Sequence, residues 1–350
     1  MKKYGLGIIG FGGMGYYHYQ KIAKDDRMFI AGIYDINDER MKFAAEQDIN
    51  TYESAEALLA DEKVNIVLVA TPNNFHKEYS IAALRAKKAV ICEKPVTLCS
   101  SDLEDIIKVA EEEGCIFTVH QNRRMDKDYL LVKEAYEKGT LGNIFSIESR
   151  VHGARGVPDG WRQYKVAGGG MLLDWGVHLI DQIMNMLPEK VVSVYTHMFS
   201  IKYPEVDDYF KLHLKFESGK SAQIEVGTCN FISMPRWYVC GDNGTMIVEN
   251  WSCDGKIIRA KETEEHWEED IVYTKAGPTK TMAPRRKETT EEIPLVEPDT
   301  DYTRSYKAII DALEGNGKPL VDPKEALRVV KVIEATFESF ETGKAIETNI

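Results

Sequence analysis

The chain holds six cysteines, and no two form a C-x-x-C pair: Cys92, Cys99, Cys115, Cys229, Cys240 and Cys253 are scattered. In 350 residues that pattern argues against a disulfide scaffold and reads as core or surface thiols in a reducing compartment. No apolar run reaches membrane-spanning length. Long basic runs are missing too. With 44 Lys plus Arg against 56 Asp plus Glu, the net charge is −12, which offers nothing to nucleic acid or anionic lipid. The opening MKKYGLGIIGFGG has no small-residue cleavage site and does not read as a signal peptide; the expected location is cytoplasmic. Repeats and low-complexity tracts are absent. What remains, 43% hydrophobic and 29% charged, is the composition of an ordinary soluble globular enzyme long enough for two domains.

Glycine is concentrated where it carries most information. The buried-looking strand YGLGII runs straight into Gly10-Phe11-Gly12-Gly13-Met14-Gly15, a G-x-G-x-x-G pattern with a strand before it and a helix after. Gly10 permits the tight turn, Gly12 lets the backbone approach a pyrophosphate, and Gly15 lets the helix pack on its strand with its N-terminus toward the negative charge. A second apolar run, FIAGIYD, ends in Asp35, and 35 − 15 = 20 places this acid where it binds an adenosine ribose 2′-hydroxyl. The chain is expected to bind a dinucleotide.

The first ~120 residues alternate short apolar runs with helical patterns, the signature of parallel βαβ units. Helices are expected near 38–48, 54–61, 75–86 and 101–113, with NIVLVATP, AVICEKP and CIFTVHQN as buried strands. This is an α/β Rossmann doubly wound domain, expected over 1–122. Its strand ends collect Thr71, Asn73, Glu93, Lys94, Gln121 and Asn122, and ligands bind at such ends. After residue 123 come a helix near 126–138, a glycine-rich loop, a helix near 171–187 and several alternating runs, with GDNG as a hairpin turn. That reads as an α+β domain, 123–350, built on a large, mostly antiparallel, open-faced sheet. Residues 261–298 read as a long surface excursion, with Met282–Arg286 as a solvated loop rather than an arm reaching another subunit. Helices near 301–314 and 323–342 close the chain, the latter expected to pack back on the first domain.

Two constellations carry chemistry. Glu93-Lys94-Pro95 closes AVICEKP, read as the end of the fifth strand. A lysine there would lie beside a nicotinamide, bind a substrate hydroxyl and stabilise developing alkoxide; the plainer reading is a solvated lysine at a strand end. Lys94-Pro95 is a bond that adopts cis at modest cost. In GGGMLLDWGVHLIDQ, Asp174 and His178 are spaced i, i+4 and share a helix face. A histidine can take the proton as a hydroxyl is oxidised, with a neighbouring carboxylate to orient it; otherwise the two are a structural pair. No third ligand stands at a recognisable spacing, so no metal is expected. His18 and Tyr17 on the first helix read as structural.

Together, G-x-G-x-x-G, the T-P-N-x-x-H segment (Thr71, Pro72, Asn73, His76), E-K-P and G-G-G-x-x-x-D-x-G-x-H resemble the Gfo/Idh/MocA family, NAD(P)-dependent oxidoreductases of sugars and polyols, along essentially the whole chain. The resemblance implies that Lys94, Asp174 and His178 form the catalytic set, with His178 as acid/base and Lys94 polarising the reacting oxygen. It implies cofactor contacts from Gly10 to Gly15 and from Asp35, Thr71, Pro72, Asn73, His76, Glu93, Lys94, Gln121 and Asn122. It also implies that the second sheet supplies substrate contacts and an oligomer surface. A sensor or regulator on the same fold is the alternative of another class, and one that does not need both Lys94 and His178.

Asp35 would repel a 2′-phosphate and no Arg follows at once, so NAD is expected over NADP, with Arg40 one turn into the helix as the counter-signal. Trp161 and Arg162 are candidate substrate contacts, a tryptophan face suiting the C–H side of a sugar and an arginine its hydroxyls or a carboxylate; the alternative is a core Trp and a solvated Arg. Asn122 is a further substrate candidate. Asp174-Trp175-Gly176 resembles members that oxidise the C3 hydroxyl of glucosides to a 3-keto sugar. Inositol 2-dehydrogenation and anhydro-sugar reduction are the competing substrate readings, and a homo-oligomer is expected because open sheets tend to be covered.

Overall fold

A computed structural model describes residues 2–22, 26–261, 271–280, 285 and 287–350. The apolar runs become strands β1 (Tyr4–Ile9), β2 (Met28–Tyr34), β3 (Val64–Val69), β4 (Ala89–Cys92) and β5 (Phe117–Val119), all parallel in the order β2-β1-β3-β4-β5. β1 and β4 are buried along their whole length, as expected of strands covered on both faces. The intervening segments are helices α1 (Gly13–Ile22), α2 (Asp38–Glu46), α3 (Ala55–Ala60), α4 (His76–Arg85) and α5 (Ser100–Glu113). Their ends follow local chemistry. Asn37 and Ser54 cap α2 and α3 with side-chain oxygens, and α5 stops at Gly114 in the left-handed conformation, φ +62°.

The second layer begins with α6 (Lys127–Glu137), β6 (Ile144–His152) and α7 (Val177–Met186). It continues through β7 (Val191–Phe199), β8 (Tyr209–Phe216), β9 (Ser221–Gly227), β10 (Trp237–Gly241), β11 (Gly244–Val248) and β12 (Gly255–Ala260). The chain then forms the small pair β13 (Val272–Thr274) and β14 (Gly277–Thr279), β15 (Thr290–Pro294), α8 (Arg304–Leu313), α9 (Pro323–Thr342) and β16 (Ile346–Glu347). Among the described residues the large sheet has nine strands in the order β15-β12-β11-β10-β6-β9-β8-β7-β16. All neighbours are antiparallel except β6 and β9. Leu212, Leu214, Ile224 and Val226 face α7 and α9 in one apolar cluster, while His197, Phe199, His213 and Lys215 stay exposed. Asp242-Asn243 turn β10 into β11, as GDNG implies.

Three features differ from the sequence reading. β15 is an edge strand, with Ile293 opposite Ile257, where a plain excursion is expected; most of Met282–Arg286 lies outside the described residues. Leu172–Gly176 is wound as a π-helix before α7 begins, a departure found often at functional sites. α8 also crosses the expected division at residue 122, with Tyr306, Ile309 and Ile310 joining Leu6, Ile8 and Phe11. Ala326 and Val330 of α9, the helix expected to pack back on the first domain, join Val67 and Val90. α9 is fastened to α5 by Glu334, which accepts the Ser100 N–H at 2.8 Å.

Candidate active site

The carboxyl ends of β2, β1, β3 and β4 open into a cavity of about 530 Å³. The turn after β1 is its floor. Gly10 takes φ +93°, and a Cβ there would stand 2.6 Å from the Ala70 carbonyl oxygen, so glycine is needed. A Cβ on Gly15 would stand 2.1 Å from the Gly10 carbonyl oxygen, so glycine lets α1 pack against its strand. At Gly12 and Gly13 a Cβ would meet nothing within 4 Å; it would fill only the cavity itself. An open floor at a helix N-terminus is a cradle that fits a pyrophosphate.

Asp35 stands at one end of the cavity, beside Ile36 and Arg40. Its Oδ2 accepts the Phe11 N–H at 2.6 Å and its Oδ1 the Asn37 N–H at 2.8 Å, which fixes the carboxylate where ribose hydroxyls would lie. Phe11 contributes only backbone, since its ring is buried against Tyr16, Tyr19 and Phe43. Met14, Thr71, Pro72 and Asn73 line the middle. His76, expected as a cofactor contact, does not line the cavity. Its ring lies between the Thr71 and Pro95 carbonyl oxygens, 2.9 Å from each, and so ties the loop after β3 to the loop after β4.

Glu93, Lys94, Trp161 and Arg162 close the far end. Lys94 follows the fourth strand of the sheet, not a fifth as counted from the sequence, and the Lys94-Pro95 bond is cis. Lys94 Nζ donates to Asp174 twice, to Oδ1 at 3.1 Å and to the backbone oxygen at 3.0 Å. Arg162 Nε lies 3.2 Å from Asp174 Oδ2. Burial pushes the Asp174 carboxyl up, but Lys94 and Arg162 together hold it below its ordinary value.

The sequence reading expects Asp174 to orient His178. The structure corrects this: both carboxylate oxygens go to cations, because charge-assisted contacts outcompete a neutral imidazole. Burial, then the charges of Lys94 and Arg123, hold His178 well below the usual histidine range, so it rests neutral. Among the described residues its Nδ1 is buried with no hydrogen-bond partner, as are Gln121 Oε1 and Asn122 Oδ1 at the end of β5. A buried polar atom without a partner calls for one, and the hydroxyls of a bound ligand would supply it here.

Arg123 and Trp251 pack against Trp175 beside His178, and the sequence reading passed over both. Trp175 packs edge-on to His178 at 6.0 Å between ring centroids and meets Trp251 at 5.7 Å. The Arg123 guanidinium lies 4.0 Å over the Trp175 ring and that of Arg236 3.7 Å over Trp251. Arg123 directly follows the flagged Gln121-Asn122, a local signal. Trp251 has none.

A glycine turn that fits a pyrophosphate, with an acid at one end of the cavity and a lysine–aspartate pair at the other, is an arrangement suited to a dinucleotide-dependent oxidoreductase. The chain belongs to the Gfo/Idh/MocA family: the "oxidoreductase family, NAD-binding Rossmann fold" matches residues 4–121 and its "C-terminal alpha/beta domain" residues 133–348. A similar curated relative is scyllo-inositol 2-dehydrogenase (NADP(+)) IolW of Bacillus subtilis, 28% identical over 97% of this chain and 95% of that one. D-glucoside 3-dehydrogenase of Escherichia coli is 24% identical over 85% of this chain and 83% of its own. Among solved structures, an NAD-binding protein from Listeria innocua superposes with TM-score 0.95 at 45% identity, covering 99% of this chain and 100% of that one. The protein is an NAD-binding oxidoreductase of the sugar and polyol class.

Proposed function

We propose that the protein oxidises a secondary ring hydroxyl of a sugar, by preference C3 of a glucoside, with NAD as acceptor. The observation that carries this reading is the far end of the cavity, where Lys94, held by Asp174, neighbours the neutral, buried His178. The Lys94 ammonium holds the substrate oxygen and stabilises it as the proton leaves. His178 takes that proton. Asp174 keeps Lys94 aimed, and Trp161 and Arg162 wall the sugar. NAD, held by the glycine cradle and Asp35, would supply the acceptor for the hydride that leaves the carbon as the O–H proton passes to His178 and the C=O bond forms. A polyol such as inositol is the second reading, favoured by the B. subtilis relative. The test is a single turnover at high protein concentration, with near-ultraviolet absorbance read after adding glucose, alkyl and aryl O-glucosides, a C-glucoside or myo-inositol. Reduced nicotinamide with glucosides alone supports C3 oxidation; signal with inositol alone transfers the assignment to a polyol dehydrogenase.

His178 rests neutral because its proton affinity is depressed, and so remains a competent base as pH falls. The acid limb of kcat/KM for the sugar, which reports the free enzyme's groups, therefore lies below the ordinary imidazole value of 6.5. A limb at or above that value would contradict the assignment.

Asp35 favours NAD over NADP by charge, although Arg40 lines the same end of the cavity. The double variant Asp35→Ser, Ile36→Arg moves the preference toward NADP, read as the ratio of kcat/KM for the two cofactors; an unchanged ratio defeats the assignment. The exposed sheet face bearing His197, Phe199 and His213 is the surface through which we expect the chain to self-associate, and its free thiols fit a cytoplasmic setting.

A further inference from the structure

Glu93 is only 5% exposed, yet it lines the cavity at the end opposite Asp35. Its Oε1 accepts two hydrogen bonds, from His18 Nε2 at 2.7 Å and His120 Nδ1 at 2.9 Å, and its Oε2 accepts the Lys94 N–H at 3.2 Å. Tyr306 O–H donates to His18 Nδ1 at 2.6 Å, which leaves the His18 proton on Nε2, facing Glu93. The imidazole rings of His18 and His120 lie 4.4 Å apart, and Tyr306 stacks on His120 at 5.9 Å. Four separate parts of the chain thus converge on one carboxylate: α1, the end of β4, the end of β5, and α8.

His18, Glu93 and His120 also form a group whose ligand atoms all lie within 4.8 Å, as in a metal site. The hydrogen bonds to Oε1 satisfy that group without an ion. Burial opposes a charge on Glu93, but His120 and His18 outweigh it and hold the carboxyl well below its ordinary value. Lys94 does not neutralise this charge, because its ammonium is turned to Asp174.

The cavity crosses the sheet from β2, through the cradle after β1, to β4. With Asp35 taking the adenosine ribose and the cradle the pyrophosphate, the Glu93 end is left for the nicotinamide. We propose that Glu93, clamped by His18, His120 and Tyr306, is a fixed negative charge that selects the oxidation state of the cofactor, favouring the cationic oxidised ring over the neutral reduced one. This rests on the orientation just described. A charge held in a low-dielectric wall acts strongly on another nearby, whereas the neutral reduced ring feels it little.

The test is calorimetric binding at pH 8, above the ordinary imidazole range, using NAD, NADH and ADP-ribose with wild type, Glu93→Gln and Glu93→Asp. For Glu93→Gln the Kd of NAD rises at least about tenfold, roughly 1.4 kcal/mol, while the values for NADH and ADP-ribose stay within about threefold. Glu93→Asp keeps the charge but withdraws it, so NAD weakens about two- to fivefold against NADH; this variant decides the matter if Glu93→Gln does not fold. Equal losses for NAD and NADH, with ADP-ribose unaffected, would overturn charge selection. Equal losses for all three would overturn the orientation of the cofactor itself.

Discussion

His178→Ala lowers kcat by ~10²–10⁴-fold, the usual yield of general acid–base catalysis and roughly 3–5 kcal/mol of barrier, and leaves NAD affinity essentially unchanged. The residue does not line the cofactor cavity. It stands on the first turn of α7, only 4% exposed, with Trp175 against its ring and Nδ1 without a partner among the described residues. His18, by contrast, has a hydrogen-bond partner on each ring nitrogen. Stopped-flow turnover alongside NAD titration separates a catalytic from a structural role. Normal residual turnover with collapsed NAD affinity would make His178 a structural residue.

Lys94→Ala lowers kcat by ~10²–10³-fold, the range measured when one donor to a developing oxyanion is removed. The ammonium is set by two contacts to Asp174, so it is aimed before substrate arrives and needs no reorganisation during the step. The variant also leaves Asp174 with Arg162 alone, which shifts the carboxylate toward the loop and raises KM to a lesser extent. Lys94→Arg does not restore kcat, because a planar fork cannot replace a point charge at this position. A steady-state comparison of kcat and KM checks this. A rise in KM with kcat unchanged would show that Lys94 only binds substrate.

The parts legible in the sequence are those governed by local backbone. Gly10, Gly12 and Gly15 declare themselves because a Cβ at the first and last would collide with backbone, and at Gly12 would intrude on the cavity. Asp35 is legible through its fixed distance from that turn, and the parallel sheet through its unbroken apolar runs. Tertiary choices are not legible. Nothing in the spacing of Asp174 and His178 tells that two cations, 80 and 12 residues away in sequence, capture the carboxylate. The pairs His18–Glu93 and His18–Tyr306 join residues 75 and 288 positions apart. β15 escaped notice because the charged flank around 290–294 masks a single inward Ile293.

The most direct measurement is a single turnover with methyl glucoside deuterated at C3, followed by mass analysis of the cofactor. The account predicts reduced nicotinamide carrying that deuterium, and none when the label is placed at C2. Reduced cofactor without the C3 label would contradict the regiochemistry. Tight NAD binding with no reduction by any sugar tested would contradict catalysis itself and leave the fold serving as a nucleotide sensor.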